Sequence, residues 1–260
     1  MKRPTSILLA AMVSMSVFAG CSVKEERGGC PCRLFLDMTA VDMQAMSPLS
    51  LFVSADGYLA HEAVLDAGKV PDIYEVYVSR TDLDVIGWSG GEDYITKDGL
   101  AIPLGYDCPP IFIHSSQVRA EGESVCDTVR MRKNHCAMNI RFMNAERFAA
   151  MTVRGGVAGF DSRGKPKPGE FKAYCKMDTL ENSSAKVILP RQIGDSLHLD
   201  VEGFDGKVKT FPLHEYIAAT GYDWSEPDLK DLDLTLNYTL TSVSLIVSGW
   251  DEEFTFNVVI

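Results

Sequence analysis

Leu232-Asp233-Leu234-Thr235-Leu236-Asn237-Tyr238-Thr239-Leu240 places an apolar residue at every second position. A period of two sends successive side chains to opposite faces of an extended backbone, so this stretch reads as a strand buried on one side. The residues that follow repeat the pattern through Val243, Leu245 and Val247. After Trp250-Asp251 it returns in Phe254, Phe256, Val258 and Ile260. The end of the chain is therefore a run of strands.

The same period extends back through the sequence. Leu34, Leu36 and Met38 alternate with Arg33 and Asp37, although Phe35 breaks the polar side. Leu49, Leu51 and Val53 follow Pro48 and run into an Asp56-Gly57 turn, and Tyr74, Val76 and Val78 alternate with Glu75 and Ser79. Ile111-Phe112-Ile113 follows two prolines, and Met138, Ile140 and Phe142 alternate with Asn139 and Arg141. Further strands are expected at Met151 and Val153, Phe171 to Met177, Val187 to Leu189 and Leu197 to Val201, with Asp205-Gly206 turning into Val208 to Leu213. Gly155 to Gly169, rich in Gly and Pro, reads as a long exposed loop. Leu213 to Thr220 is expected to form two helical turns stopped by Gly221. This amounts to about seven strands before Arg147 and six or seven after it, which is β-sandwich spacing. Two sandwiches of roughly 110 to 120 residues fit the length, divided as 30–147 and 148–260. No internal repeat is visible.

The amino terminus supplies an address. Lys2 and Arg3 precede an apolar run from Ile7 to Phe18, interrupted only by Ser14 and Ser16. The run has the length of a signal-peptide core and is too short to span a bilayer. Phe18-Ala19-Gly20-Cys21 then sets small residues before a cysteine, the bacterial lipobox pattern. Residues 1–20 are expected to be removed, Cys21 to carry lipid and 21–29 to form a tether. Several acyl chains together hold a protein at a membrane where one gives marginal residence. The alternative is an ordinary secretory leader with a chance cysteine after it. Ser22-Val23-Lys24-Glu25-Glu26 has no Asp after the cysteine, and a lysine followed by two acids resembles the surface-export signal of Bacteroidetes lipoproteins. A plain solvated tether would share that composition. The expected location is the outer membrane, exposed at the surface.

Removing residues 1–20, which carry two basic residues and no acid, takes the formal charge from −11 to −13. Such a body argues against nucleic acid as a partner and against a basic patch on anionic lipid. Besides Cys21 there are Cys30, Cys32, Cys108, Cys126, Cys136 and Cys175. Their pairings stay open, a Cys126–Cys136 bridge across a local bend and buried free thiols being two possibilities. Cys30-Pro31-Cys32 lacks the partner ligands of a zinc site.

Gly87-Trp88-Ser89-Gly90-Gly91 matches G-x-S-x-G, yet a nucleophile elbow needs a helix after it and Glu92 to Gly99 reads as strand and turn. His61, His114, His135, His198 and His214 are scattered without ligand spacing, and His135 and Cys136, as strand neighbours, point to opposite faces. No P-loop or dinucleotide fingerprint occurs. No catalytic residue, cofactor or metal is implied. Asp127-Thr128-Val129, Asp178-Thr179-Leu180 and Asp195-Ser196-Leu197 resemble the short O-glycosylation motif of exported Bacteroidetes proteins and speak only to compartment.

Three stretches together resemble a known family. They are Gly29-Cys30-Pro31-Cys32-Arg33-Leu34 behind the lipidated Cys21, then Phe211-Pro212-Leu213-His214-Glu215-Tyr216-Ile217 with Thr220-Gly221-Tyr222-Asp223-Trp224, and the final array with Ser248-Gly249-Trp250-Asp251-Glu252-Glu253-Phe254. In order and spacing they resemble the Bacteroidetes fimbrial anchor lipoproteins, the FimB-type anchor subunits of type V fimbriae. The resemblance implies two tandem transthyretin-like β-sandwiches, no enzymatic activity and a place at the base of a surface fibre. The implied partners are the fimbrial stalk subunit (fimbrillin) and outer-membrane lipid. Subunits of such fibres join by strand complementation, an extended segment completing a neighbour's open sandwich. A tip or adhesin subunit of the same fibre is one alternative. A surface glycan-binding lipoprotein is another, with Trp88, Trp224 and Trp250 as candidate platform residues.

Stalk subunits of this type are cut after an arginine near their amino terminus, and the candidates here are Arg27 and Arg33. Cutting at either would part the body from Cys21. The first strand, Leu34 to Met38, is therefore expected to stay in its own domain. Phe254 to Ile260 is expected either to be donated to a neighbour or to pair at home with Val243 to Val247.

Overall fold

One-sided strands need a partner layer, and the chain supplies it twice. The computed structural model describes residues 30–143, 148–175, 184–238, 242–248 and 253–259. In chain order the first strands are β1 (Cys32–Asp37), β2 (Leu49–Ala55), β3 (Tyr58–Leu65), β4 (Ile73–Val78), β5 (Asp82–Ser89), β6 (Ile95–Thr96), β7 (Gly99–Ala101), β8 (Phe112–Arg119), β9 (Ser124–Thr128) and β10 (Arg132–Lys133). There follow β11 (His135–Met143), β12 (Phe148–Asp161), β13 (Pro166–Tyr174), β14 (Ser184–Pro190), β15 (His198–Gly203) and β16 (Val208–Phe211). Helix α1 (Leu213–Ala219) precedes β17 (Leu232–Tyr238), β18 (Ser242–Ser248) and β19 (Glu253–Val259). The helix buries Leu213 and Ile217, one turn apart, and Gly221 takes the left-handed conformation just beyond its end (φ 77°).

The first sandwich faces a three-stranded sheet, β4-β1-β9, with a five-stranded one, β10-β8-β5-β2-β3. The second faces β14-β11-β17-β18-β19 with β16-β15-β12-β7-β6, and β13 also pairs with β12. The two share one plan. In each, the opening strand lies mid-sheet, antiparallel to one neighbour and parallel to the other: β1 between β4 and β9, β11 between β14 and β17. In each, the second strand pairs with the third and the fifth, β2 with β3 and β5, β12 with β13 and β15. The fold is thus duplicated although the sequence shows no repeat.

Two expectations need correction. The sheets part at Asn134, ahead of the division at residue 147 read from the sequence. β11 joins the second sandwich through parallel pairing with β17 (Met138 opposite Leu232, Ile140 opposite Leu234), and alternation alone carries no record of a partner so far along the chain. β6 and β7 also cross over, Leu100 lying opposite Phe160 of β12.

The second correction concerns Gly155 to Gly169, which is a β-hairpin rather than an exposed loop. Its tip docks on the five-stranded sheet of the first sandwich. There Ser115 Oγ donates to the Arg163 carbonyl at 2.8 Å and the Arg163 guanidinium reaches Asp84 at 3.2 Å. The glycines that suggested a loop serve close approach: a Cβ on Gly159 would stand 2.0 Å from the Leu100 carbonyl oxygen. Pro166 and Pro168 lie on β13, whose ladder partner is β12.

The five-stranded sheet of the first sandwich is consequently covered on both faces. Leu49, Leu51, Val53, Leu83 and Val85 fill the first core, and Phe52, Ile86, Trp88 and Ile113 belong to the second. Trp88, 1% exposed, sets its ring 6.4 Å from that of Phe160 at 65°.

Candidate functional site

The lipidation candidate Cys21, the candidate cleavage residue Arg27 and Trp250 lie outside the described residues. The chain that follows Cys21 and Arg27 enters the structure at Cys30 and passes straight into β1. Cys32, Leu34 and Leu36 are fully buried in the first core. The backbone of β1 is paired along both sides, Leu34 facing Val76 across one ladder and Val125 across the other. Arg33, the other candidate cleavage residue, lies inside this double ladder; its N–H donates to the Glu123 carbonyl at 2.9 Å. Its guanidinium pairs with Glu75 at 2.6 Å and lies 5.0 Å from the centre of the Phe35 ring. A protease needs its target extended and unpaired, so this arginine is shielded while the sandwich is folded.

At the far end of the chain β19 pairs with β18 and β18 with β17, in continuous antiparallel register. Within this chain Glu253–Val259 is thus paired at home, the second of the two expectations for that segment, with Ile260 outside the described residues. β19 is the outer strand of its sheet. Such an edge presents backbone donors and acceptors to an incoming strand. β3 is a second outer strand, with Tyr58, Leu59 and Val64 exposed.

The six cysteines from Cys30 onward are free. Cys126 lies exposed on β9 while Cys136 is buried in the core of the second sandwich, so the structure does not bring them together. Burial pushes the thiols of Cys136 and Cys175 up to about 12, and that of Cys108 higher still. Among the described residues no cluster of three or more His, Cys, Asp or Glu could hold a metal ion. Gly87-Trp88-Ser89-Gly90-Gly91 ends β5 and turns into a 3-10 turn at Glu92–Tyr94 followed by β6, which is not a strand-to-helix elbow. Of the candidate platform residues, Trp88 is buried and Trp224 is half-buried with its ring 4.9 Å from that of Tyr222.

One polar group inside the first sandwich escaped the sequence reading. The His114 ring meets the Asp127 carboxylate at 3.2 Å, Ser116 Oγ donates to the same carboxylate, and the Arg130 N–H donates to His114 Nδ1 at 3.1 Å. The serine binds the carboxylate and not the ring, so the cluster ties β8 to β9 and to Arg130 just after it and has no nucleophile–base geometry.

No family model matches the sequence and no curated protein is similar to it. Solved structures are. The fimbrial anchor protein Mfa2 from Porphyromonas gingivalis superposes with a TM-score of 0.66 at 11% identity, covering 85% of this chain and 98% of that one. A candidate polysaccharide-binding protein from Bacteroides thetaiotaomicron gives 0.65 at 12% identity, over 87% of this chain and 98% of that one. A candidate adhesin from Bacteroides ovatus gives 0.63 at 8% identity, over 87% and 96%. The fold is shared. At these identities the likeness speaks to the all-β, two-sandwich architecture along nearly the whole of each relative.

Burial pulls the His135 imidazole below its ordinary 6.5; the ring meets Phe112 edge-on at 5.2 Å and bonds the Ile111 carbonyl at 3.0 Å. The unfolded chain binds a proton on this ring near pH 6.5 and the folded chain resists until lower pH. Stability from this group therefore falls as the pH drops from 6.5 toward the depressed folded value. Asp200 behaves in the opposite way: the Arg154 guanidinium, aided against burial by the Thr210 hydroxyl, holds it below its ordinary 3.8. Its contribution is present above that pH and is lost as the pH falls through the folded value. Urea midpoints between pH 7.5 and 3 are expected to fall in two steps, and His135→Gln should remove the upper one alone. A single acid step in the unaltered protein would overturn this.

Proposed function

We propose that this chain is an outer-membrane lipoprotein, acylated on Cys21, that anchors a fimbria of the type V class at its base. The observation that carries the reading is the first strand: β1 is held between β4 and β9 with Cys32, Leu34 and Leu36 buried. A stalk subunit opens an acceptor groove by losing such a strand. A subunit that keeps it offers its first sandwich no groove, and ends the chain of subunits. The likeness to a fimbrial anchor protein over 85% of the chain supports the same reading. The stalk then joins by an edge contact, with the outer strand β19 as the template for β-augmentation. The chain is proposed to act as a structural subunit and not as an enzyme.

A tip or adhesin subunit is the nearest rival, since it would share the fold, and immunogold labelling of base against far end separates the two. A glycan-binding role has less support, because Trp88 is buried and Trp224 packs on Tyr222. Intact mass of the protein taken from assembled fibres tests the proposal directly. A species beginning at acylated Cys21 is expected; one beginning at Gly28 or Leu34 would mean processing like a stalk subunit, and the anchor reading would fall. Cys21→Ala is expected to shift the protein into soluble fractions or leave an unprocessed precursor. Normal amounts in the outer membrane would rule out the lipid as the attachment.

A further inference from the structure

Two histidines that lie apart in the sequence are neighbours in space. His198 opens β15, and His214 stands in the first turn of α1. Their ring centres lie 5.4 Å apart, with the planes at 61°. Each ring is steered by a backbone carbonyl, His198 Nδ1 by that of Ser196 at 2.8 Å and His214 Nδ1 by that of Leu197 at 3.3 Å. A carbonyl oxygen only accepts, so both Nδ1 atoms carry the proton and both Nε2 atoms keep a lone pair. Neither Nε2 has a hydrogen-bond partner among the described residues; Glu215 Oε1 stands 3.8 Å from that of His214, beyond hydrogen-bond reach. Other rings differ. His61 meets the Tyr74 hydroxyl through Nε2, and His114 uses both nitrogens, on Asp127 and on the Arg130 N–H.

An imidazole whose Nδ1–H is held by a backbone carbonyl, with the Nε2 lone pair left over, is set up as a metal ligand. We propose that His198 and His214 together bind one divalent ion of the borderline class, such as Zn²⁺, through their Nε2 atoms, with water in the remaining positions. The spacing fits. Zn–N bonds of about 2.0–2.1 Å put each ring centre roughly 3.2 Å from the ion, and tetrahedral angles then set two ring centres about 5.2 Å apart. The ligand type fits as well, since imidazole suits zinc, copper and nickel rather than calcium or magnesium. The Glu215 carboxylate adds negative charge beside the pair, and Arg154, opposite His198 in the ladder, is occupied by Asp200. Two protein ligands make an open site, short of the closed four-ligand set of a structural zinc. The bound ion clasps the start of β15 to the first turn of α1, a junction that Leu213 and Ile217 otherwise hold by burial. The site depends on neither a base nor a tip position in a fibre.

Zinc titration of the chelator-stripped full chain in detergent tests it by calorimetry. A single ion per chain is expected, and His198→Gln and His214→Gln should each weaken its binding roughly tenfold or more. His61→Gln, which alters a ring in the first sandwich, should leave it unchanged. Nitrogen-15 spectra of the imidazoles in the unaltered protein keep the test independent of how the variants fold. Before zinc is added, both rings should show a protonated Nδ1 and a bare Nε2; on addition, the Nε2 resonances of His198 and His214 should move together. Uptake that survives both substitutions overturns the proposal, since zinc would then be an adventitious ion only. A change confined to one ring also overturns it, because the two rings would then be no more than an edge-on packing pair. Absence of any uptake at millimolar zinc has the same consequence.

Discussion

Trp88→Ala is expected to destabilise the protein by about 3–5 kcal/mol, the range for truncating a fully buried large aromatic residue. The indole is 1% exposed and belongs to the same buried cluster as Leu100 and Phe160, contributed by β7 and β12 of the second sandwich. The void would open where the two sandwiches meet, under a sheet whose other face is already committed to the first core. Neighbouring backbone is hydrogen-bonded on both sides of β5, so little collapse is available to close the gap. Urea denaturation would measure the loss, and a change below about 1 kcal/mol would contradict the shared-core description. The edge-on pairing with Phe160 should also show as non-additivity of about 0.5–1.5 kcal/mol in a cycle with Phe160→Leu.

Arg191→Ala is expected to cost about 3 kcal/mol, for a different reason. The guanidinium of Arg191 donates to the Glu226 carbonyl at 2.7 Å, to the Pro227 carbonyl at 3.1 Å, to Asn134 Oδ1 at 2.8 Å and to the Trp224 carbonyl. Burial pulls its pKa below the ordinary arginine value, and the carbonyl oxygens supply the compensation that carboxylates supply elsewhere. One side chain thus fastens the segment between α1 and β17 to the junction of β10 and β11. Alanine would leave several backbone carbonyls short of donors, and lysine, with its compact ammonium, should recover less than half of the loss. Calorimetry or urea midpoints give the size of the effect. Amide exchange across residues 222–229 should rise with it; unchanged exchange there would show that the segment is held by something else.

What was legible in the sequence follows from how each strand is buried. Leu34, Leu36 and Met38, or Leu232, Leu234 and Leu236, face one core and show a clean period of two. β5 does not, because Ile86 and Trp88 enter the second core while Leu83 and Val85 fill the first, and two-sided burial erases the alternation. β3 escaped for the opposite reason: as an outer strand its only buried residue is Leu65. Parallel pairing between β1 and β9, and between β11 and β17, leaves no local trace, so the place where the sheets part was misjudged. The proposed lipid attachment at Cys21 rests on the pattern of residues before it alone. The cleft where the chain enters β1 was not legible, because Cys30, Ala60 and Tyr77 come together only in space.

The position of β1 has a mechanical consequence. A pull applied through residue 30 runs along the axis of a strand gripped by a ladder on either side. Load in that direction shears both ladders together rather than peeling them bond by bond, so extraction must break many hydrogen bonds in one event. Resistance to such a pull is a matter of unfolding rate and not of equilibrium stability. If the chain acts as the proposed anchor, tension between membrane and fibre would meet, at this strand, the geometry least willing to give way.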